Sequence, residues 1–386
     1  MQPFSDRYGF ERSQVSLANW RERPYSTWSF QHVSEIVPSA IICADPPLRD
    51  VQPHAQLEDR EITIDGSTTS LCGFLAHSET DAFAVSFPGT PLALWTSRTV
   101  DLRLPHLIFS VSKSVTGILS GILADLGELD TSKPVSHYLP QMDGCGYGDC
   151  PLQHLLDMRV SLNFKEDYLD NSGGYARYRR STAWNPPVPG VEQEGMVEFL
   201  ATIAKGEGPH GGKFHYLSPN ADLAATIVEM AAGTSYAQAM SDLLWRPMGA
   251  EADAQITVDF RGAPRGSGGI SATLGDLSRL GRLLLDGGAS DGRQIVPLPW
   301  LDKLEAGGDR DAWRDGDFAA FIPGGSYRDF WYRSAGKAFF GIGIHGQWLY
   351  CDPENGMVAV RLASQKLPQN DRLDAQVLAM LRQLTP

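Results

Sequence analysis

The run FSVSKSVTGILSGILADLGELD, residues 109–130, constrains the fold of this chain more than any other stretch. Val115, Ile118, Leu119, Ile122, Leu123 and Leu126 recur at spacings of three and four, which is the pattern of a helix with a broad buried face, and Gly127 supplies its stop signal. Such a helix needs a sizeable core around it. Its mouth is polar, however: Ser110 sits at or near the helix start and Lys113 lies one turn on. Side chains three apart on a helix have Cβ atoms about 5–6 Å apart, so the ammonium can reach the hydroxyl. The first-turn N–H groups point at anything bound there and favour a developing oxyanion.

Two readings of Ser110-Val111-Ser112-Lys113 follow. A serine hydroxyl is a poor nucleophile until a base takes its proton. Lysine serves as that base only if its pKa falls from about 10.4 toward 7, a cost of roughly 4 kcal/mol that burial and a second positive charge can supply. The other reading is a capping serine beside a solvated lysine. Spacing does not separate them, because Ser334-Ala335-Gly336-Lys337 repeats it in what reads as a loop before a strand.

At 386 residues the chain has room for one large domain or two. Hydrophobic residues at 42% and charged residues at 20% describe an ordinary soluble globular protein. A formal net charge of −13 repels phosphate backbones and anionic lipid, so nucleic acid and membrane are not expected partners. The start, MQPFSDRYGFERSQ, lacks the pattern of a secretory signal, and a cytoplasmic location is expected. Cys43, Cys72, Cys145, Cys150 and Cys351 are odd in number and scattered, so free thiols are expected.

Residues 1 to about 60 are proline-rich and read as an irregular surface wrap. The run 81–96 reads as a hairpin around Pro88-Gly89-Thr90-Pro91, and 339–346, 347–351 and 357–364 read as strands joined by short turns. A closing amphipathic helix is expected over 371–384, with Leu373, Val377, Leu378 and Leu381 on one face. Between these ends lie helical patterns at 152–158, 196–204, 221–232, 236–244 and 273–285. The expected architecture is therefore α+β: an antiparallel sheet from both chain ends flanked by helices, a mostly helical lobe, and a site in the cleft between them. As one catalytic domain it divides into a sheet lobe, 1–125 with 265–386, and a helical lobe, 126–264.

Other motifs carry less. Gly288-Ala289-Ser290-Asp291-Gly292 spells a nucleophile elbow but follows a helix where the elbow must follow a strand, so it reads as a surface turn. Gly206-Glu207-Gly208-Pro209-His210-Gly211 matches a dinucleotide fingerprint by letters only. CGYGDC, residues 145–150, has the wrong spacing for a zinc knuckle. No metal and no cofactor are expected.

Downstream, Tyr216-Leu217-Ser218 with Asn220 looks like the Tyr-x-Asn/Ser element of penicillin-recognising serine enzymes, the stretch 266–288 resembles another of their segments, and FGIGIHGQ (340–347) stands where their Lys-Thr-Gly strand is expected. With Ser110-x-x-Lys113 these follow the family's chain order. The chain thus resembles the serine β-lactamase/transpeptidase-like fold family. It is most similar to the 6-aminohexanoate-dimer hydrolase branch, the nylon-oligomer amidases and their esterase relatives, through WSFQHVSEIVPSA (28–40), SVSKS (110–114), LLDMRVSLNFKEDYLD (155–170) and GIHGQ (343–347).

The resemblance implies an acyl-enzyme hydrolase of small-molecule amides or esters. Ser110 would be the nucleophile, and Lys113 with Tyr216 the proton-transfer pair. The backbone N–H groups of Ser110 and Ile344 would form the oxyanion hole, and Tyr168 would face the substrate from the cleft rim. Ser218 stands where many members have asparagine, and His345 stands in the region of the basic lysine that binds a penicillin carboxylate. Arg177, Arg179 and Arg180 occupy a rim where an amidase favouring a free amino terminus would place a carboxylate, which points to neutral or acidic substrates. A transacylase using the same acyl-enzyme, and a non-catalytic binding module on this fold, are the alternatives. A homodimer is suggested by analogy alone.

Overall fold

The structure is a computed structural model that describes residues 3–45, 54–168 and 172–385. Strands from the two ends of the chain build its main sheet. β1 (Ala55–Gln56), β2 (Thr80–Ser86) and β3 (Ala93–Thr96) come from the N-terminal side. β4 (Ser326–Arg328), β5 (Trp331–Arg333), β6 (Phe339–Gly343), β7 (Gln347–Asp352) and β8 (Met357–Ala363) come from the C-terminal side. Their spatial order is β4-β5-β6-β7-β8-β2-β3-β1, antiparallel except for β1, which runs parallel to β3 at the edge. The ends meet where β8 pairs with β2, Val360 opposite Ala84. Every residue of both strands is buried, as it must be when a sheet is covered on both faces.

Four helices matter most to the site: α1 (Val111–Asp125), α2 (Ser218–Ala232), α3 (Leu274–Leu285) and α4 (Asp371–Leu381). α1 packs on β5, β6 and β7, and α3 packs on β7, β8 and β2. α4 crosses the opposite face, where burial raises the Asp374 carboxyl to about 6. Val377, Leu378 and Leu381 are buried as the periodicity predicts, and Leu373 packs at the margin of the core.

α1 is enclosed on all sides rather than along one stripe: every residue from 111 to 123 is buried. The apolar pattern understates this because its polar residues also turn inward and find partners. Ser112 Oγ accepts from the Ile270 N–H at 3.0 Å, Ser114 Oγ donates to the Phe330 carbonyl at 2.9 Å, and Thr116 Oγ1 meets the Tyr236 hydroxyl at 2.8 Å. Gly117 and Gly121 let the Asp329 backbone and the Trp300 ring lie directly against the helix, where a Cβ would collide with either.

The middle of the chain is helical in short pieces: Leu152–Leu156, Gly174–Ser181, Met196–Leu200, then α2 and Tyr236–Met240, which continues as a π turn over Ser241–Trp245. Two expected helices stop early, the first before Met158, whose φ of +55 takes it out of helical geometry. A second antiparallel sheet joins Ser39–Ile42, Ala254–Thr257, Ile270–Ala272 and His106–Leu107 in that order. The N-terminal segment is more than a wrap. Trp20, Trp28 and Phe30 form a second apolar cluster with Phe109 and Trp184, against the turn that delivers Ser110. Gly288 to Gly292 forms the tip of a small hairpin, Ala289–Ser290 with Arg293–Gln294. The five cysteines are free thiols, and no helix among the described residues is long and apolar enough to cross a membrane.

Candidate active site

Ser110 occupies the N-cap position of α1, but its side chain makes no capping bond. Its Oγ accepts instead from Lys113 Nζ at 2.7 Å, and the same ammonium donates to the Ser267 carbonyl at 2.7 Å. Lys113 is only 1% exposed. Burial lowers its pKa from 10.5 to about 8, against the opposing pull of Glu166 and Asp222 and with help from Arg265. The solvated lysine of the alternative reading is therefore absent. The preceding residue, Phe109, sits at φ +43, a sparsely allowed conformation held by ring contacts with Phe30, Trp184 and His345. That sharp turn presents Ser110 at the floor of a cleft.

Tyr216 arrives from the loop that leads into α2. Its backbone N–H donates to Asp317 Oδ2 at 2.8 Å, and His215 Nδ1 meets the same oxygen at 2.9 Å, so one carboxylate pins the loop. The ring lies with its centroid 4.9 Å from Lys113 Nζ. Burial pushes its phenol pKa up, while the neighbouring Ser110 and Tyr332 hydroxyls work against the rise. Ser110, Lys113 and Tyr216 thus converge in one cluster, Lys113 bonded to Ser110 and lying against the Tyr216 ring, an arrangement able to move a proton off a serine hydroxyl and onto a departing group.

The strand end beside Ser110 depends on Gly343. A Cβ there would lie 2.6 Å from the Ile108 carbonyl and 3.0 Å from the Ser110 N atom. Ile344 follows, and the two cavities of the cleft both reach Ser110 and Ile344. Neither residue's N–H donates to another backbone carbonyl of the described chain, so both are available to a bound oxygen.

The remaining expected contacts fare differently. Tyr168 stands between the two cavities and lines both, with its hydroxyl bonded to Glu166. Ser218 is 5% exposed, and its hydroxyl donates to Glu166 Oε1 at 2.7 Å. It borders the cleft with its polar atom committed to that carboxylate. His345 is likewise engaged: Nδ1 is 2.6 Å from the Gln365 carbonyl, the ring packs on Phe30 and Phe109, and burial lowers its pKa to about 4. A neutral imidazole held this way shapes the wall and supplies no charge. Arg179 lines the cleft with its guanidinium over Tyr175, whereas Arg177 is tied to Glu194 and lies outside the cleft lining. Asn220 is wholly buried between Tyr147 and Met158.

Sequence reasoning missed Glu166, Asp222 and Arg265, the charges around the Lys113 ammonium. Asp222 accepts from the Ser267 N–H at 2.7 Å and from the Tyr178 hydroxyl, and pairs with Arg265 at 3.5 Å. It thereby fixes the carbonyl that Lys113 uses. Acidic letters on α2 and in a loop carry no such signal until the chain is folded. Among the described residues no group of three or more metal-ligating side chains forms.

The fold and the serine–lysine–tyrosine cluster together define a class of protein, and comparison agrees with it. Residues 81–382 match the family model described as Beta-lactamase, and the chain belongs to that family. It is 35% identical over 358 residues, 92% of this chain and 90% of the relative, to the 6-aminohexanoate-dimer hydrolase of Paenarthrobacter ureafaciens. A solved structure described as a candidate 6-aminohexanoate-dimer hydrolase from Bacillus anthracis superposes with a TM-score of 0.83 at 25% identity, covering 96% of this chain and 97% of that one. A β-lactamase/D-alanine carboxypeptidase from Pseudomonas syringae shares the fold alone, with a TM-score of 0.56 at 12% identity over 81% of this chain and 97% of its own.

Proposed function

We propose that this β-lactamase-family hydrolase cleaves an amide or ester bond of a small molecule through an acyl-Ser110 intermediate. The substrate carbonyl oxygen sits between the N–H groups of Ser110 and Ile344. Ser110 Oγ attacks the carbonyl carbon while Lys113, neutral in part because of its burial, takes the hydroxyl proton. Tyr216 passes a proton to the departing nitrogen or oxygen and regains one from the Lys113 ammonium, and the carbon–leaving-group bond breaks. Water then attacks the ester carbonyl with the same pair as base, and the acid leaves with Ser110 restored.

The observation that carries this reading is the buried Lys113 ammonium, with its pKa near 8, 2.7 Å from a serine oxygen that caps nothing. The likeness to a protein named 6-aminohexanoate-dimer hydrolase points to a linear amide as the bond cleaved. β6 carries no lysine to hold a penicillin carboxylate, which argues against efficient β-lactam turnover.

The test is turnover of a panel of p-nitrophenyl esters, linear amides and a cephalosporin by the parent and by Ser110→Ala, with products identified in the presence and absence of an added amine. Hydrolysis that the alanine variant loses supports the reading. Steady transfer to the amine at the expense of hydrolysis makes the protein a transacylase, and turnover by the alanine variant at the parental rate removes Ser110 from the chemistry.

A further inference from the structure

Ser110 stands where two cavities meet, and their chemistry is opposite. One, of about 450 Å³, is lined by Tyr216, Tyr332 and Phe318 together with Asp317, Asp371 and Asp374. The other, of about 510 Å³, is lined by Arg21, Arg23, Arg179, Arg265 and Lys366 against Glu22. Tyr216 borders only the first. On the reading that Ser110 is acylated and Tyr216 protonates the leaving group, the leaving group departs through the first cavity and the acyl half extends into the second.

The second cavity is cationic in a chain whose net charge is −13. Arg265 is 4% exposed, and its Nε and Nη1 have no hydrogen-bond acceptor among the described residues, although Asp222 lies 3.5 Å from Nη1. Its guanidinium lies 4.2 Å from the Trp184 ring centroid, and that of Arg21 lies 5.7 Å from the same ring. Arg21 donates to the neutral Asn185 side chain and makes no ion pair with a described carboxylate. Burial lowers its pKa to about 10, with the charges of Arg179 and Arg265 adding to the fall. Arg23 is already satisfied by Glu79 at 3.5 Å and by Ser364. Guanidinium groups stacked on an indole present planar donor forks, and such forks match a carboxylate. Asp222, paired with Arg265 at 3.5 Å and accepting from the Ser267 N–H, and Glu166, accepting from the Ser218 hydroxyl, balance part of this charge but not that of Arg21.

We infer that the acyl half of the substrate ends in a carboxylate held by Arg21 and Arg265, so that the enzyme acts on half-amides or half-esters of dicarboxylic acids. Ser110 Oγ bonds to the amide or ester carbonyl carbon, the amine or alcohol leaves with the proton from Tyr216, and water releases a free dicarboxylic acid. The remote carboxylate is unchanged throughout.

The test compares two p-nitrophenyl esters of equal chain length, the hexanoate and the mono-adipate. The expected kcat/KM ratio favours the mono-adipate by about ten-fold or more in the parent, and the ratio collapses toward one in Arg21→Gln and Arg265→Lys. Because Arg265 is buried, competitive inhibition of the parent by free adipate against hexanoate gives a second reading that needs no variant, with adipate expected to bind tighter. A parental ratio of one or less, or a ratio kept in a folded Arg21→Gln protein, overturns the inference. If neither ester acylates Ser110, the serine mechanism itself fails; if the hexanoate acylates as well as the mono-adipate, only the carboxylate pocket does.

Discussion

Replacing Lys113 with arginine keeps the positive charge and much of the volume but removes the capacity to be neutral, since a guanidinium stays protonated above pH 12. In the parent, burial lowers Lys113 from 10.5 to about 8. At pH 7 the neutral fraction is then about one in ten, where an ordinary lysine would offer about one in three thousand. That difference amounts to about 3 kcal/mol of differential stabilisation, arising chiefly from desolvation. General-base assistance of this kind contributes about 10²–10⁴-fold. Lys113→Arg should therefore lower kcat/KM for a p-nitrophenyl ester by about three orders of magnitude. The parental kcat/KM should rise with pH as Lys113 loses its proton and level off above about 8, whereas the arginine variant should show no such limb. Initial rates from pH 5.5 to 9.5, corrected for spontaneous hydrolysis, measure both. His345, held near 4, cannot produce an inflection at 8. An arginine variant within ten-fold of the parent, or a parental profile without an inflection near 8, refutes the reasoning.

Glu166 is the strongest charge holding the Lys113 ammonium on, so Glu166→Gln should move the inflection to lower pH, and an unmoved or upward-shifted limb contradicts the electrostatic picture. Gly343→Ala would place a Cβ 2.6 Å from the Ile108 carbonyl and 3.0 Å from Ser110 N. It should cost about 10²-fold or more in kcat by spreading the two oxyanion donors, with the circular dichroism spectrum unchanged. Away from the site, Asp157 and Asp329 are buried together around Gln153, which donates to both, and burial raises both carboxyl pKa values, with the charge of Asp329 raising Asp157 further. The folded chain then holds a proton that the unfolded chain has lost above about pH 4, so stability falls as pH rises from that value through the raised folded pKa. In Asp329→Asn the fall should be shallower, and thermal melts from pH 5 to 8 with equal slopes in both proteins would contradict the shared-proton account.

The sheet, the closing helix and the serine–lysine helix are legible in the sequence because period and turn chemistry are local signals. Ser110, Lys113 and Tyr216 could be picked out because their order along the chain resembles a family pattern. The charges that set the Lys113 pKa could not, since Glu166, Asp222 and Arg265 meet only after a loop, α2 and the approach to the Ile270–Ala272 strand are packed together. The N-terminal segment hid its role for a similar reason. Irregular and rich in proline, it gives no periodic signal, yet Arg21 lines the cleft beside Trp184, and Trp20 packs against the Trp184 ring from behind, far away in sequence. Ser218 and His345 are instructive in the opposite sense. Their positions match a family pattern, but their polar atoms are spent on Glu166 and the Gln365 carbonyl, which no spacing argument reveals.

The most direct test of the account is the mass of the protein during turnover of a slow ester, followed by peptide mapping. Acylation at Ser110 predicts an intact-mass increase equal to the acyl group, located on the peptide that contains Ser110 and absent from Ser110→Ala. Turnover with no adduct in the steady state or after a rapid quench, or an adduct on any other residue, contradicts it.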